Sequence, residues 1–232
     1  MFQISGKNLG ALALEDACDR CFWIKTRIKW KAPFAPFPGI FSSIDSYTKN
    51  IVEDYLAKNN YALPWLKQLG PISGVLPGYS QSKFRLAFPE LDATLTGSTD
   101  AMFQTPDGQL IIVDYKTARY TEGQDDLLPM YEAQLNAYAR IAEEGLALGK
   151  VAKLALIYFE PLTKMENYAQ YVKNDGFSLI FNPKIHEVEI KKDLVSNLLK
   201  RAVKINAQKT APDASTECDD CAKMDVLLDL FK

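Results

Sequence analysis

Two aspartates and a lysine bracket a central turn in this sequence of 232 residues. The run Leu95-Thr96-Gly97-Ser98-Thr99-Asp100 leads into Thr105-Pro106-Asp107-Gly108, and the chain returns through Ile111-Ile112-Val113-Asp114-Tyr115-Lys116-Thr117. Proline second and glycine fourth suit a type I turn closed by a left-handed glycine, the three-residue hairpin with a bulge. That turn sets Thr105 opposite Gln109 and therefore Asp100 opposite Asp114, with Lys116 on the same face of the sheet. A two-residue turn would send the aspartates to opposite faces. Converging carboxylates repel unless a cation neutralises them, and oxygen-only ligation favours magnesium or manganese. A lysine beside such an ion can orient and help deprotonate a water and can stabilise developing phosphate charge. This is the chemistry of phosphodiester hydrolysis. The plainer alternative is a solvent-facing ion-pair cluster across two strands. Against it, Asp114 interrupts a long apolar strand, where burying an idle carboxylate is costly.

The second chemical constellation lies at the ends. Cys18, Cys21, Cys218 and Cys221 form two Cys-x-x-Cys pairs with no cysteine between them. Four thiolates can surround one metal centre, either tetrahedral zinc or an iron–sulfur cluster. A zinc ribbon keeps its pairs about 15–20 residues apart. Here a shared metal would staple one end of the chain to the other. The alternative is four reduced thiols in a reducing compartment, and a thioredoxin-like role is disfavoured because one pair would suffice.

Composition limits what else the chain can be. Apolar residues at 47% and charged residues at 24% describe a globular protein with a full core, expected to form one domain over residues 1–232, its chemical core at about 40–190. No apolar run is long enough for a membrane helix, and acids follow the first apolar stretch where a signal peptide would be cut, so a cytoplasmic protein is expected. Lys and Arg number 27 against 29 Asp and Glu, a net charge of −2, which excludes a globally basic binder but not a local patch. The single histidine, His186, excludes Ser-His-Asp and Cys-His triads and multi-histidine zinc sites. Arg20, Lys25, Arg27, Lys29 and Lys31 interleave with Phe22, Trp23 and Trp30, a pattern able to follow a phosphate backbone and stack bases, though such aromatics are more often core and the lysines a solvated face. Lys191, Lys192, Lys200, Arg201 and Lys204 make a second basic group that reads as a solvated helix face.

The elements that must position these groups are legible in outline. A helix or helix-turn is expected over about 8–30, followed by the proline-rich stretch 32–39, which cannot be regular and would pin Phe34 and Phe37 to the core. A helix runs from about Ser43 to Lys58. An irregular crossing over 59–82 precedes strands at about 83–88, 93–104 and 109–117. A helix follows at about 128–146, then strands at about 151–160, 168–172 and 184–190, and a helix at about 192–207 before the cysteine tail. Strands enclosed by helices in this order indicate one α/β domain. On the helix over 43–58 the wheel puts Ile44, Tyr47, Ile51 and Tyr55 on the buried stripe. Asp45 falls at its shoulder beside Val52 and Leu56, and Glu53 nearly opposite. Asp45, Lys49 and Glu53 can equally form a plain surface ladder.

These residues resemble the PD-(D/E)xK nuclease superfamily, in the branch of RecB-type nuclease domains and CRISPR-associated RecB-like exonucleases. The matching pieces are Gly97-Ser98-Thr99-Asp100, Asp114-Tyr115-Lys116-Thr117 and Gln134-Leu135-Asn136-Ala137-Tyr138, with cysteines at both ends. The resemblance covers about residues 10–225. It implies a restriction-endonuclease-like α/β core, a mixed central sheet flanked by helices whose termini a cysteine metal centre joins. It implies a magnesium- or manganese-dependent deoxyribonuclease, an exonuclease acting on single- or double-stranded DNA in repair, recombination or defence. A non-catalytic nucleic-acid-binding or assembly module on the same fold is the alternative, and a zinc-stapled interaction domain with idle hairpin acids is a third. Carried over, Asp100 and Asp114 are metal ligands with the Tyr115 carbonyl, Lys116 is the catalytic lysine, and Gln134 and Tyr138 position substrate phosphate or the lysine. Where the branch often has a histidine in the preceding helix, this chain offers Asp45 as a further metal ligand, with Glu53 in reserve. The branch divides its cysteines one and three between the ends, whereas this chain divides them two and two. By resemblance the centre is a 4Fe-4S cluster, with zinc as the alternative.

Overall fold

The turn at Thr105–Gly108 closes as its chemistry requires. Gly108 takes φ +80°, its N–H donates to the Thr105 carbonyl at 2.9 Å, and the Thr105 N–H donates to Gln109 O at 2.9 Å. The computed structural model describes residues 1–31, 38–59, 63–118, 120 and 126–230. The expectation that Phe34 and Phe37 pin a loop lies outside these residues. The hairpin joins β5 (Ala101–Gln104) to β6 (Leu110–Lys116), with Gln104 opposite Leu110 and Ala101 opposite Val113. The register that converges Asp100 and Asp114 is therefore the one formed.

Around this hairpin a five-stranded sheet is built in the order β10-β7-β6-β5-β2, with β2 at Gly74–Leu76, β7 at Val151–Pro161 and β10 at Phe181–Val188. All neighbours are antiparallel except β6 and β7. That parallel pair needs a crossover, supplied by α4 (Leu128–Arg140). Strand β6 is covered on both faces, which explains its nearly unbroken apolar run. Its residues alternate between two cores. Leu110 and Ile112 pack in the larger core with Leu135 and Tyr138 of α4; Ile111, Val113 and Tyr115 pack in the smaller one with Val52, Leu66 and Leu69. Asp114 and Lys116 continue the first face and so point toward α4.

The expected strand over 93–104 is two strands. β4 (Ala93–Thr96) belongs to a three-stranded sheet with β1 (Phe2–Ser5) parallel to it and β3 (Arg85–Phe88) antiparallel, while β5 belongs to the larger sheet. The chain changes sheets through 97–100, leaving Asp100 outside regular structure at the strand end. The expected helix at 8–30 is α1 (Gly6–Gly10), a short 3-10 turn and α2 (Asp19–Arg27). Helix α1 lies hard against α4: a Cβ on Gly10 would sit 2.4 Å from the Met130 carbonyl oxygen, and one on Gly6 2.9 Å from Ala137 Cβ. The segment near 168–172 forms only the two-residue strands β8 (Val172–Lys173) and β9 (Gly176–Phe177). After α5 (Leu194–Asn206), the cysteine tail carries a helix, α6 (Asp219–Asp229).

Helix α3 (Gly39–Lys58) is rotated from the expected stripe. Thr48 and Val52 are buried, while Tyr47 and Ile51 are 55% and 46% exposed. The apolar period points to the stripe Ile44, Tyr47, Ile51 and Tyr55, whereas packing against the sheet buries its shoulder at Val52 instead. No helix among the described residues is long and apolar enough to cross a membrane.

Candidate active site

The carboxylates and lysine meet at the end of β5 and β6, between α3 and α4. Asp100 is held from two sides: its Oδ2 accepts the Tyr115 backbone N–H at 2.7 Å, and its Oδ1 lies 2.8 Å from Lys49 Nζ. The same ammonium lies 2.7 Å from Asp45 Oδ2, one turn earlier on α3. Lys49 was legible only as a ladder partner of Asp45. Its reach to Asp100 depends on how α3 crosses the strand end. Asp45 thus joins the cluster through Lys49, whereas Glu53 is exposed and borders a small cleft with Thr99, Asp100 and Tyr115.

Asp114 is 4% exposed. Its Oδ1 accepts from Gln134 Nε2 at 2.8 Å, and its Oδ2 pairs with the Lys116 ammonium at 2.5 Å. The Lys116 ammonium also lies 3.4 Å from Gln134 Oε1 and 3.8 Å from the Tyr131 ring centroid. Gln134 completes the chain by donating from Nε2 to the Tyr138 hydroxyl at 2.9 Å. Both are buried: Gln134 contacts Asp114 and Lys116 directly, while Tyr138 reaches them only through Gln134. Between them, Asn136 turns the other way and binds Glu189 O and the Lys191 N–H, fastening α4 to the chain after β10.

Close packing fixes the network. The Tyr138 ring meets Phe84 edge-on at 5.9 Å, and a Cβ on Gly97 would lie 2.5 Å from that ring. The sequence Gly97-Ser98-Thr99-Asp100 therefore combines a glycine that the tyrosine demands with the carboxylate that faces Asp114.

Charge and burial set the electrostatics. Burial pushes the Asp114 carboxyl up to about 6; the Lys116 ammonium opposes this, and the Asp100 charge adds to it. Burial works against a charged Lys49, but Asp100 and Asp45 hold its pKa above the ordinary ammonium value. The donor set is all oxygen. An ammonium stands on each aspartate where a divalent cation would supply positive charge. These residues fit magnesium or manganese.

The four cysteines also converge. Their sulfurs all lie within 4.8 Å of one another, with 3.4 Å between Cys21 and Cys221, 3.5 Å between Cys21 and Cys218, and 3.7 Å between Cys18 and Cys221. None is in a disulfide. Burial opposes a thiolate at Cys18, but backbone donors, among them the Ser215 N–H at 3.3 Å from its Sγ, bring that thiol down to about 6, whereas burial pushes Cys221 up to about 11.

In the basic aromatic segment the aromatic residues and the two arginines pack against the rest of the chain. Arg20 pairs in two-pronged fashion with Asp225 at 2.6 and 3.2 Å, and Arg27 reaches Asn206 while stacking on Trp23 at 4.7 Å. Phe22 is buried against Trp30. These residues dock α2 onto α5 and α6, leaving Lys25, Lys29 and Lys31 exposed. His186 belongs to neither site; it stands on β10 beside Tyr120.

Comparison with known proteins adds three findings. A family model described as the PD-(D/E)XK nuclease superfamily matches residues 57–226. An ATP-dependent helicase/nuclease of Desulforudis audaxviator (strain MP104C) is 35% identical over 80 residues, which are 34% of this chain and 6% of that protein. Among solved structures, the crystal structure of SSO0001 covers 90% of this chain and 78% of its own at 14% identity and a TM-score of 0.48.

Proposed function

This chain belongs to the PD-(D/E)XK nuclease superfamily, and on that premise we propose that it is a divalent-metal-dependent nuclease that hydrolyses DNA phosphodiester bonds. We place it in the RecB-like branch as an exonuclease of repair, recombination or defence, working as one domain in the cytoplasm. The observation that carries the reading is the buried chain Lys116–Asp114–Gln134–Tyr138, set across the hairpin from Asp100.

Asp100, Asp114 and the Tyr115 carbonyl would hold magnesium or manganese, with Asp45 at the α3 side. When bound, the ion supplies a Lewis acid for the phosphate and lowers the pKa of the attacking water. The protein's own groups do the rest. Tyr115 N–H and Gln134 Nε2 fix the two carboxylates so that neither must reorganise as charge develops. Lys116, caged by Asp114, Gln134 and the Tyr131 face, presents its ammonium where a water and a phosphate oxygen would meet. Tyr138 positions Gln134 and through it Asp114 and Lys116. The four cysteines hold a structural metal that takes no part in hydrolysis.

The test is degradation of linear and covalently closed circular DNA, single- and double-stranded, with magnesium or manganese. Nucleotide release from linear substrates alone supports an exonuclease. Cutting of circles corrects that to an endonuclease. Tight DNA binding without any cleavage supports the non-catalytic alternative.

A further inference from the structure

The cysteines were the feature least determined by the family, and their geometry decides what they hold. Cys18 is the N-cap of α2 and Cys218 the N-cap of α6. Cys21 and Cys221 each follow three residues later, in the first turn of the same helices. The two motifs thus repeat one local structure, down to the bonds Phe22 N–H to Cys18 O and Ala222 N–H to Cys218 O, both 3.0 Å. Two helix N-termini face the sulfurs and favour thiolates there.

The separations discriminate between metal centres. A single zinc with bonds of about 2.3 Å sets its four sulfurs at the corners of a tetrahedron with edges of about 3.8 Å. The observed separations of 3.4, 3.5 and 3.7 Å, with every sulfur within 4.8 Å of the others, are those of ligands aimed at one point. In a 4Fe-4S cluster each thiolate takes a different iron, so the inorganic core stands between the sulfurs and spreads them well beyond a single-ion edge. These sulfurs do not fit that core. Among single ions, a tetrahedral all-thiolate set suits zinc, which binds such sites more tightly than ferrous iron.

We propose that Cys18, Cys21, Cys218 and Cys221 bind one redox-inert zinc ion that clamps the starts of α2 and α6 together, in place of the iron–sulfur cluster expected by resemblance. The Arg20–Asp225 pair closes the same seam from outside, at 2.6 Å. The assignment is independent of whether the carboxylate site cleaves DNA, because metal content is read without substrate.

The full chain, produced with iron and zinc both supplied and purified without oxygen, is analysed for metals, acid-labile sulfide and visible absorption. The expected result is about one zinc per chain, no sulfide and no colour, with zinc lost in Cys221→Ser. Replacing zinc by cobalt(II) should give the intense visible bands of a tetrahedral tetrathiolate. Iron in any form, with or without sulfide, overturns the assignment. So does metal-free protein, or retention of zinc in both Cys221→Ser and Cys18→Ser.

Discussion

The two proposed metal sites are built on opposite plans. At the carboxylate site, each aspartate already has a cation of the chain's own, Lys49 on Asp100 and Lys116 on Asp114, and hydrogen bonds from Tyr115 and Gln134. At the cysteine site, four like groups lie within 4.8 Å of one another, three pairs of them at 3.4–3.7 Å, and Ser215 donates to Cys18 from outside the set. The first can hold its shape whether or not a divalent ion is present, which suits an ion exchanged with solvent and substrate. The second has few partners of the chain's own, so a bound ion would do most to organise it. A site for chemistry is preorganised by protein contacts, whereas a site for stability is organised by the metal.

The largest way to break this contrast is at Lys116. Lys116→Ala should lower DNA cleavage by about 10²–10⁴-fold, the range of a positioned acid–base or electrostatic group, while leaving metal content at the cysteines intact. Equal loss of zinc in that variant would mean that the regions are not separate.

Next comes removal of the thiolate metal by a strong chelator or by Cys221→Ser. Loss of a clamp between chain ends should cost about 3 kcal/mol, seen as a fall of roughly 10 °C in the melting temperature. Magnesium binding at the carboxylates, measured by calorimetry below that temperature, should not change. Gly97→Ala probes the other plan by forcing a methyl into the Tyr138 ring, 2.5 Å away. It should cost about 1–3 kcal/mol and slow cleavage roughly tenfold, with the DNA concentration for half-maximal rate unmoved.

Burial makes the carboxylate site sensitive to mild acid. The Asp114 carboxyl, raised from its ordinary 3.8 to about 6, keeps its proton in the folded metal-free protein where an unfolded chain has lost it. Its contribution to metal-free stability is therefore greatest below the ordinary carboxylate value and disappears as pH rises through about 6. A divalent ion needs the ionised form, so magnesium affinity should fall up to about tenfold per unit as pH drops below that value. A flat affinity between pH 7 and about 5 would contradict the burial argument. The smallest effect is expected at Lys49. Lys49→Met frees Asp100 Oδ1 from the ammonium and should tighten magnesium binding by up to about fivefold, matching the ~1 kcal/mol that a partly exposed ion pair contributes.

How much of this could be read from the sequence depended on the range of the interaction that fixed it. The hairpin register followed from Pro106 and Gly108, a local turn chemistry, and with it the convergence of Asp100 and Asp114. The spacing of Gln134 and Tyr138 put them on one helix face, as the turn of a helix dictates. The buried face of α3 did not follow, because Ile44, Tyr47, Ile51 and Tyr55 make the more apolar stripe, and only long-range packing buries Thr48 and Val52 instead. Lys49 was missed for the same reason. The break between β4 and β5 rested on Gly97 yielding to the Tyr138 ring, a contact across 41 positions of chain that no local pattern records. The partners of the α2 arginines, Asp225 and Asn206, lie at the far end of the chain, where no local pattern points.

The most direct measurement is hydrolysis of end-labelled linear DNA with magnesium by wild type and Lys116→Ala, matched for melting temperature and magnesium affinity. The account predicts nucleotide release by the wild type and its loss in the variant, with the folded state and both metals retained. Equal rates in the two proteins would contradict it.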